Sequence, residues 1–274
     1  MNLPPPATDR PGAAPSRNAV RRIRVAKVIT RLVRGGAQGS LLRLAAAVDR
    51  SAFDVTCVTG IATGSEGDYA PLAAELGIPL LRIPSLVRDA DPARDAAALA
   101  ALIRAFRRGR YDVVHTYTSK AGFLGRLAAR LAGVPVVVHS PQGHIFAPGG
   151  NIPGVSDRPL RRAAYYWMER AAAPWTDRIF ALTDEDAAQQ RALRFGSPGR
   201  IGVLPNPVPE EFFAPPESSA SRRALGLGGG PVVGIVGRLS AEKGHRFLFE
   251  AARRLVGPHP ALRLQVVGAG PLRR

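Results

Sequence analysis

Four short segments of this sequence carry residue types able to bind or move charge. His115-Thr116-Tyr117-Thr118-Ser119-Lys120 and His139-Ser140-Pro141-Gln142-Gly143-His144 each place histidine beside hydroxyl or amide groups, directly after an apolar β-branched run. Arg34-Gly35-Gly36-Ala37-Gln38-Gly39-Ser40 joins another such run to an alanine-rich periodic stretch, so backbone N–H groups and a helix dipole can face an anion there. Gly237-Arg238-Leu239-Ser240-Ala241-Glu242-Lys243-Gly244 sets two cations around a turn that opens on a helix, which suits a doubly charged diphosphate.

Each segment also has a plainer explanation. The glycines at 35 and 36 lack the Gly-x-Gly-x-x-Gly spacing of dinucleotide-binding folds, and a tight turn using positive φ accounts for them equally well. A lone strand histidine is more often a core residue than a ligand. Three at neighbouring strand ends, in a chain of 5 histidines, point towards a site. Arg238 and Lys243 could decorate a solvated loop, but strand, basic pair, glycine and helix start coincide. Gly268-Ala269-Gly270 resembles the opening of a nucleotide loop, yet Arg273 stands where the third glycine belongs and no helix pattern follows.

The elements that must position these groups alternate regularly. Strand patterns fall at 23–30, 54–60, 79–84, 112–118, 135–140, 178–183 and 200–205, and helical periodicity at 39–50, 68–76, 93–108, 121–131, 159–172 and 184–195. A parallel return needs a crossover, so this alternation predicts an α/β, Rossmann-like, doubly wound parallel sheet covered on both faces. Residues 1–22 read as a disordered proline-rich tail without the apolar stretch of a signal peptide. Residues 23–207 form the predicted first domain, and 208–230, rich in Pro, Ser and Gly, a linker. A second α/β unit over 231–274 has strands at 231–237 and 262–268 around a helix at 244–256, too few to build an independent core.

The net charge of +17 invites a nucleic-acid reading. Its distribution argues against one. Of 38 basic residues only Lys27, Lys120 and Lys243 are lysine, and the arginines are spread through alanine-rich helices with no nucleic-acid-binding motif beside them. A basic surface facing anionic lipid headgroups stays open. No apolar run approaches the roughly 20 residues a membrane span requires. The single cysteine, Cys57, cannot pair within the chain and fits a reducing compartment.

Taken together, Gly35-Gly36-Ala37-Gln38, Val114 through Gly122, Thr176-Asp177-Arg178-Ile179-Phe180-Ala181-Leu182-Thr183, Val203-Leu204-Pro205-Asn206 and Val236-Gly237-Arg238 with Lys243-Gly244 resemble the retaining glycosyltransferases of family 4. That family has the GT-B architecture of two facing Rossmann-like domains, and the resemblance covers residues 23–274. It implies transfer of a sugar from a nucleoside-diphosphate donor to a polysaccharide or lipid-linked acceptor, near the cytoplasmic face of the membrane, with neither metal nor other cofactor. Carried onto this chain, Arg238, Lys243 and Gly237 would hold the donor diphosphate. Gly35 and Gly36 would form the glycine loop, His115 and His144 would be the catalytic candidates, and Tyr117, Ser119, Lys120 and Gln142 would line the acceptor side. Relatives commonly carry histidine where this chain has Tyr117 and Gln142. The family's Glu-x7-Glu segment would lie beyond Arg274, so the resemblance also implies a truncated donor domain. A sugar-nucleotide 2-epimerase on the same architecture, or a non-catalytic sugar- or partner-binding module, remain alternative expectations.

Overall fold

The computed structural model describes residues 21–62, 67–143, 146, 158–214, 218–270, 272 and 273. Most of the predicted tail, and His144, lie outside the described residues.

Seven parallel strands form the main sheet: β1 (Ile23–Ile29), β2 (Phe53–Thr59), β3 (Leu80–Arg82), β4 (Val113–Tyr117), β5 (Val136–Ser140), β6 (Arg178–Ala181) and β7 (Ile201–Val203). The crossovers carry helices α1 (Gly36–Ala46), α2 (Ala70–Glu75), α3 (Pro92–Gly109), α4 (Ser119–Ala132), α5 (Pro159–Ala172) and α6 (Asp184–Ala192). The order β3-β2-β1-β4-β5-β6-β7 makes the sheet doubly wound, as the alternation predicts. It reverses direction between β1 and β4, and the crevice outside the carboxyl ends of strands at such a point is where ligands bind in open α/β sheets.

Local chemistry explains where the helices begin and end. Asp91 caps α3 by accepting from Arg94 N–H at 3.0 Å, with Pro92 in the first turn. Thr183 caps α6 through Asp186 N–H at 3.2 Å, and three acidic residues in that first turn oppose the dipole. Gly133, at φ 76°, closes α4 in the left-handed region. Helix α1 starts earlier than the periodicity predicts, at Gly36 with Gly35 as its cap, because glycine tolerates the N-cap position where the apolar pattern is silent.

Two apolar layers sandwich the sheet. One packs Ala26, Val28, Val114 and Val137 under α3 and α4, around Leu102, Phe106 and Ala128. The other packs Val25, Ile29, Val55, Cys57 and Tyr117 under α1 and α2, around Leu41 and Leu42. Alternate residues of β1 and β4 therefore enter opposite layers, as strand geometry requires.

The segment read as a linker is not structureless. It holds a 3-10 turn at Glu210–Phe213 and a short helix α7 (Ser218–Ala224), which the proline- and serine-rich composition concealed. Beyond it, β8 (Val232–Val236) pairs in parallel with β9 (Arg263–Val267), joined by α8 (His245–Leu255). Val233, Val236, Phe247, Phe249 and Leu255 are exposed in this unit.

Candidate functional site

The loops after β1 and β4 flank the point where the sheet reverses, and those after β5 and β7 continue the same carboxyl edge. The β1 loop carries Gly35 and Gly36 into α1. Gly35 has an extended φ of −165° and Gly36 is not among the positive-φ glycines, so the tight-turn explanation for this pair fails. A Cβ on Gly36 would meet nothing within 4 Å. The residue borders an open groove of about 430 Å³, which Arg34, Ser40, Arg43, Tyr69 and Asn206 also line.

Two non-glycine residues in these loops adopt positive φ outside any helix C-terminus. Thr118, between β4 and α4, sits at φ 61° and ψ 172°, and Gln142, just after β5, at φ 55°. A β-branched residue in this region is strained by about 1–3 kcal/mol, and such strain concentrates at functional sites. Gln142 uses its conformation to donate from Nε2 to Asn206 Oδ1 at 3.2 Å. Asn206 thereby connects the β5 loop to the groove at the glycine pair. Neither strained residue was legible as such in the sequence, since nothing local marks a threonine or glutamine for left-handed backbone.

Of the strand-end histidines, the two described ones do not share a layer. His115 points into the α1–α2 layer and His139 into the opposite one, where β4 and β5 pair His115 with Val138 and Thr116 with His139. His115 Nδ1 faces the Tyr117 hydroxyl at 3.2 Å and its Nε2 faces Ser140 Oγ at 2.9 Å. Burial, assisted by the charge of Lys27, holds its pKa well below the ordinary value. Burial also lowers Lys27 to about 8 and raises the Tyr117 phenol. Burial in the same layer pushes the Cys57 thiol up to about 12.

His139 belongs to a second buried set. Its Nδ1 lies 2.9 Å from Thr116 Oγ1, and its Nε2 lies 3.8 Å from Glu169 Oε2, which in turn accepts from Arg126 at 2.6 Å. Arg126 is fully buried, and also donates to the Gly122 carbonyl and towards Thr176 Oγ1. This set ties α4, α5 and the β6 approach together behind the sheet.

Other candidates are placed as follows. Ser119 opens α4 and is half-buried. Lys120 is engaged at the carboxyl edge itself: its amine pairs with Asp95 in the first turn of α3 at 2.5 Å and with the Asp89 carbonyl in the loop after β3, tying α4 to α3. In the second unit the Lys243 stem passes 4.0 Å from where a Gly237 Cβ would stand, so Gly237 and Lys243 are brought together. Arg238 is exposed in the same turn. Gly244, at φ 68°, makes the left-handed step into α8. Gly268 and Gly270 have a reason other than phosphate binding: Cβ atoms there would stand 1.9 Å from the Gly237 carbonyl oxygen and 2.4 Å from that of Leu239. His245, which the sequence did not single out, is buried at the start of α8 with neither ring nitrogen hydrogen-bonded among the described residues.

Residues 35–207, spanning the glycine pair to the groove's far wall, match the glycosyl transferase 4-like domain. This chain belongs to that family. The glycosyl transferase 4-like chain is 35% identical over 195 residues to an Escherichia coli UDP-Gal:alpha-D-GlcNAc-diphosphoundecaprenol alpha-1,3-galactosyltransferase, covering 69% of this chain and 49% of that protein. It is 36% identical over 193 residues to the D-inositol 3-phosphate glycosyltransferase of Geodermatophilus obscurus, covering 67% and 42%. The chain thus spans about half the length of these relatives. Among solved structures, Anabaena HepE in complex with UDP and glucose superposes with a TM-score of 0.68 at 19% identity, covering 91% of this chain and 62% of that one. Sucrose-phosphate synthase from Thermosynechococcus elongatus does so with a TM-score of 0.68 at 16% identity, covering 92% and 64%. These likenesses establish the Rossmann-like fold of the family. Among the described residues, no helix is long and apolar enough to cross a membrane.

Proposed function

We propose that the seven-stranded unit is the acceptor-binding half, and residues 231–274 the opening of the donor-binding half, of a retaining glycosyltransferase. It moves a sugar from a nucleoside-diphosphate sugar to a glycan or lipid-linked acceptor. The observation that carries this reading is the family match over residues 35–207, which encloses the open glycine pair, strained Gln142 and Asn206 at one carboxyl edge. Two relatives above 30% identity are named as transferases, one acting with UDP-galactose, which favours transfer over the epimerase alternative.

In this proposal Arg238 and Lys243, with the close approach that Gly237 permits, stabilise the charge developing on the leaving diphosphate. Gly35 and Gly36 bring the start of α1 against an anion. His144 is the candidate to touch the acceptor. His115 is a positioning residue, because both its nitrogens are engaged by Tyr117 and Ser140 behind the edge. The charge of +17, and the outward side chains of Leu160 and Trp167 on arginine-rich α5, support peripheral contact with an anionic membrane surface.

Calorimetric titration of UDP into the chain tests the donor assignment. Removing either Arg238 or Lys243 takes away a charge-assisted contact of roughly 1.5–3 kcal/mol, a loss of at least about tenfold in affinity. Equal affinity in the wild type, Arg238→Ala and Lys243→Ala would remove both residues from the site.

A further inference from the structure

The groove beside the glycine pair has a lining that the donor assignment does not use. Arg34 and Arg43 both border it, and among the described residues neither has a carboxylate partner or a side-chain hydrogen bond. Arg43 is half-buried, so its unpaired charge is held partly out of water, an expensive arrangement unless an anion joins it. Ser40 lies three residues before Arg43 on α1, hence on the same helix face. It is only 4% exposed, and its hydroxyl has no hydrogen-bond partner among the described residues, although buried hydroxyls are normally satisfied. The Tyr69 ring packs against Gly39, with its oxygen 3.6 Å from where a Cβ would stand. The first turn of α1 has no acidic residue and no side-chain cap. Among the described residues no carboxylate lines the groove, while guanidinium, hydroxyl and amide donors surround it. Its volume, about 430 Å³, falls within the roughly 300–1,000 Å³ of small-ligand sites.

We infer that this groove holds the phosphate of a phosphate-bearing acceptor. Arg43 supplies the principal charge, Ser40 and the first N–H groups of α1 supply hydrogen bonds, and Arg34 and Tyr69 close the sides. A guanidinium matches phosphate geometry in a way that a hydroxylated sugar ring does not require. Gly36 fits the same arrangement, since the open space at its Cα lets a phosphate reach the helix start. The inference deepens the glycosyltransferase reading by naming the acceptor's anionic group. It remains separable from that reading, because the donor contacts lie on Arg238 and Lys243.

The test titrates the 274-residue chain with inorganic phosphate, glucose 1-phosphate, glucose and UDP. Wild type, Arg43→Gln, Ser40→Ala and Arg43→Lys are compared, with folding verified by circular dichroism. Inorganic phosphate and glucose 1-phosphate are expected to bind the wild type, the sugar phosphate more tightly, and glucose not at all. Arg43→Gln should weaken glucose 1-phosphate at least about tenfold, Ser40→Ala several-fold, and Arg43→Lys less than Arg43→Gln, with UDP affinity unchanged. Unchanged sugar-phosphate affinity in Arg43→Gln and Ser40→Ala would overturn the inference. So would an equal loss of UDP affinity, which would give the groove to the donor. Failure of the donor reading has its own signature, a UDP affinity indifferent to Arg238 and Lys243.

Discussion

Lys27 Nζ lies 3.0 Å from the Tyr117 hydroxyl oxygen, inside the apolar layer beneath α1 and α2. An ammonium can only donate, so Tyr117 accepts from Lys27 and turns its own proton to His115 Nδ1. His115 is then neutral with its proton on Nε2, which donates to Ser140 Oγ. Protonating His115 would set an N–H against a hydroxyl group already ordered by Lys27, and the chain of donors would break.

That relationship has a pH signature. Burial holds His115 and His139 neutral in the folded chain, with pKa values well below the ordinary 6.5, whereas in the unfolded chain they take up protons near that value. Below about pH 6.5 the unfolded state therefore binds more protons, and stability falls as pH falls. Urea unfolding followed at pH 7.5, 6.5 and 5.5 should show midpoints moving to lower urea, and a smaller movement in His139→Gln than in the wild type.

Arg126 and Glu169 form a buried pair at 2.6 Å, with side chains 0% and 11% exposed. Replacing Glu169 by Gln leaves the guanidinium charge buried without its counter-ion, at a cost of roughly 3–5 kcal/mol. The double variant Arg126→Met with Glu169→Leu should recover a large part of that loss, measured by chemical denaturation. A double variant less stable than Glu169→Gln alone would show that the hydrogen bonds of Arg126, and not charge compensation, dominate.

Gly122 on α4 is held to glycine by packing. A Cβ there would stand 2.5 Å from His139 Cε1, and the ring is pinned by Thr116 on one side and flanked by Glu169 on the other. Gly122→Ala should destabilise by about 1–3 kcal/mol despite the better helix propensity of alanine. Thermal melts of wild type and variant check the sign directly, since propensity alone predicts a stabilisation.

Phe212, Phe213 and Leu225 are 71%, 75% and 58% exposed in the segment between the two sheets. Brief digestion with chymotrypsin should cut first at these side chains and leave a resistant fragment containing β1 to β7, because that fragment keeps both apolar layers. Mass spectrometry of the first products settles the order. Early cleavage within β1 to β5 would mean that the seven-stranded unit does not stand alone.

The amino-acid sequence by itself determined the alternation of strands and helices and the parallel, doubly wound sheet. It also marked the glycine pair after β1 and the basic turn after β8. These are properties of local periodicity and of residues such as glycine whose backbone freedom is intrinsic. Only the tertiary structure decided that His115 and His139 face opposite layers, because side-chain direction follows the register of β4 against β5. Asp95 engages the Lys120 amine at the edge, and Asn206 holds Gln142 in left-handed backbone, through partners distant along the chain. Nor could the sequence show that, among the described residues, Ser40 is buried without a partner beside an uncompensated Arg43. Whether a polar group is satisfied depends on what the folded chain places around it, and neighbours in sequence contain no record of that.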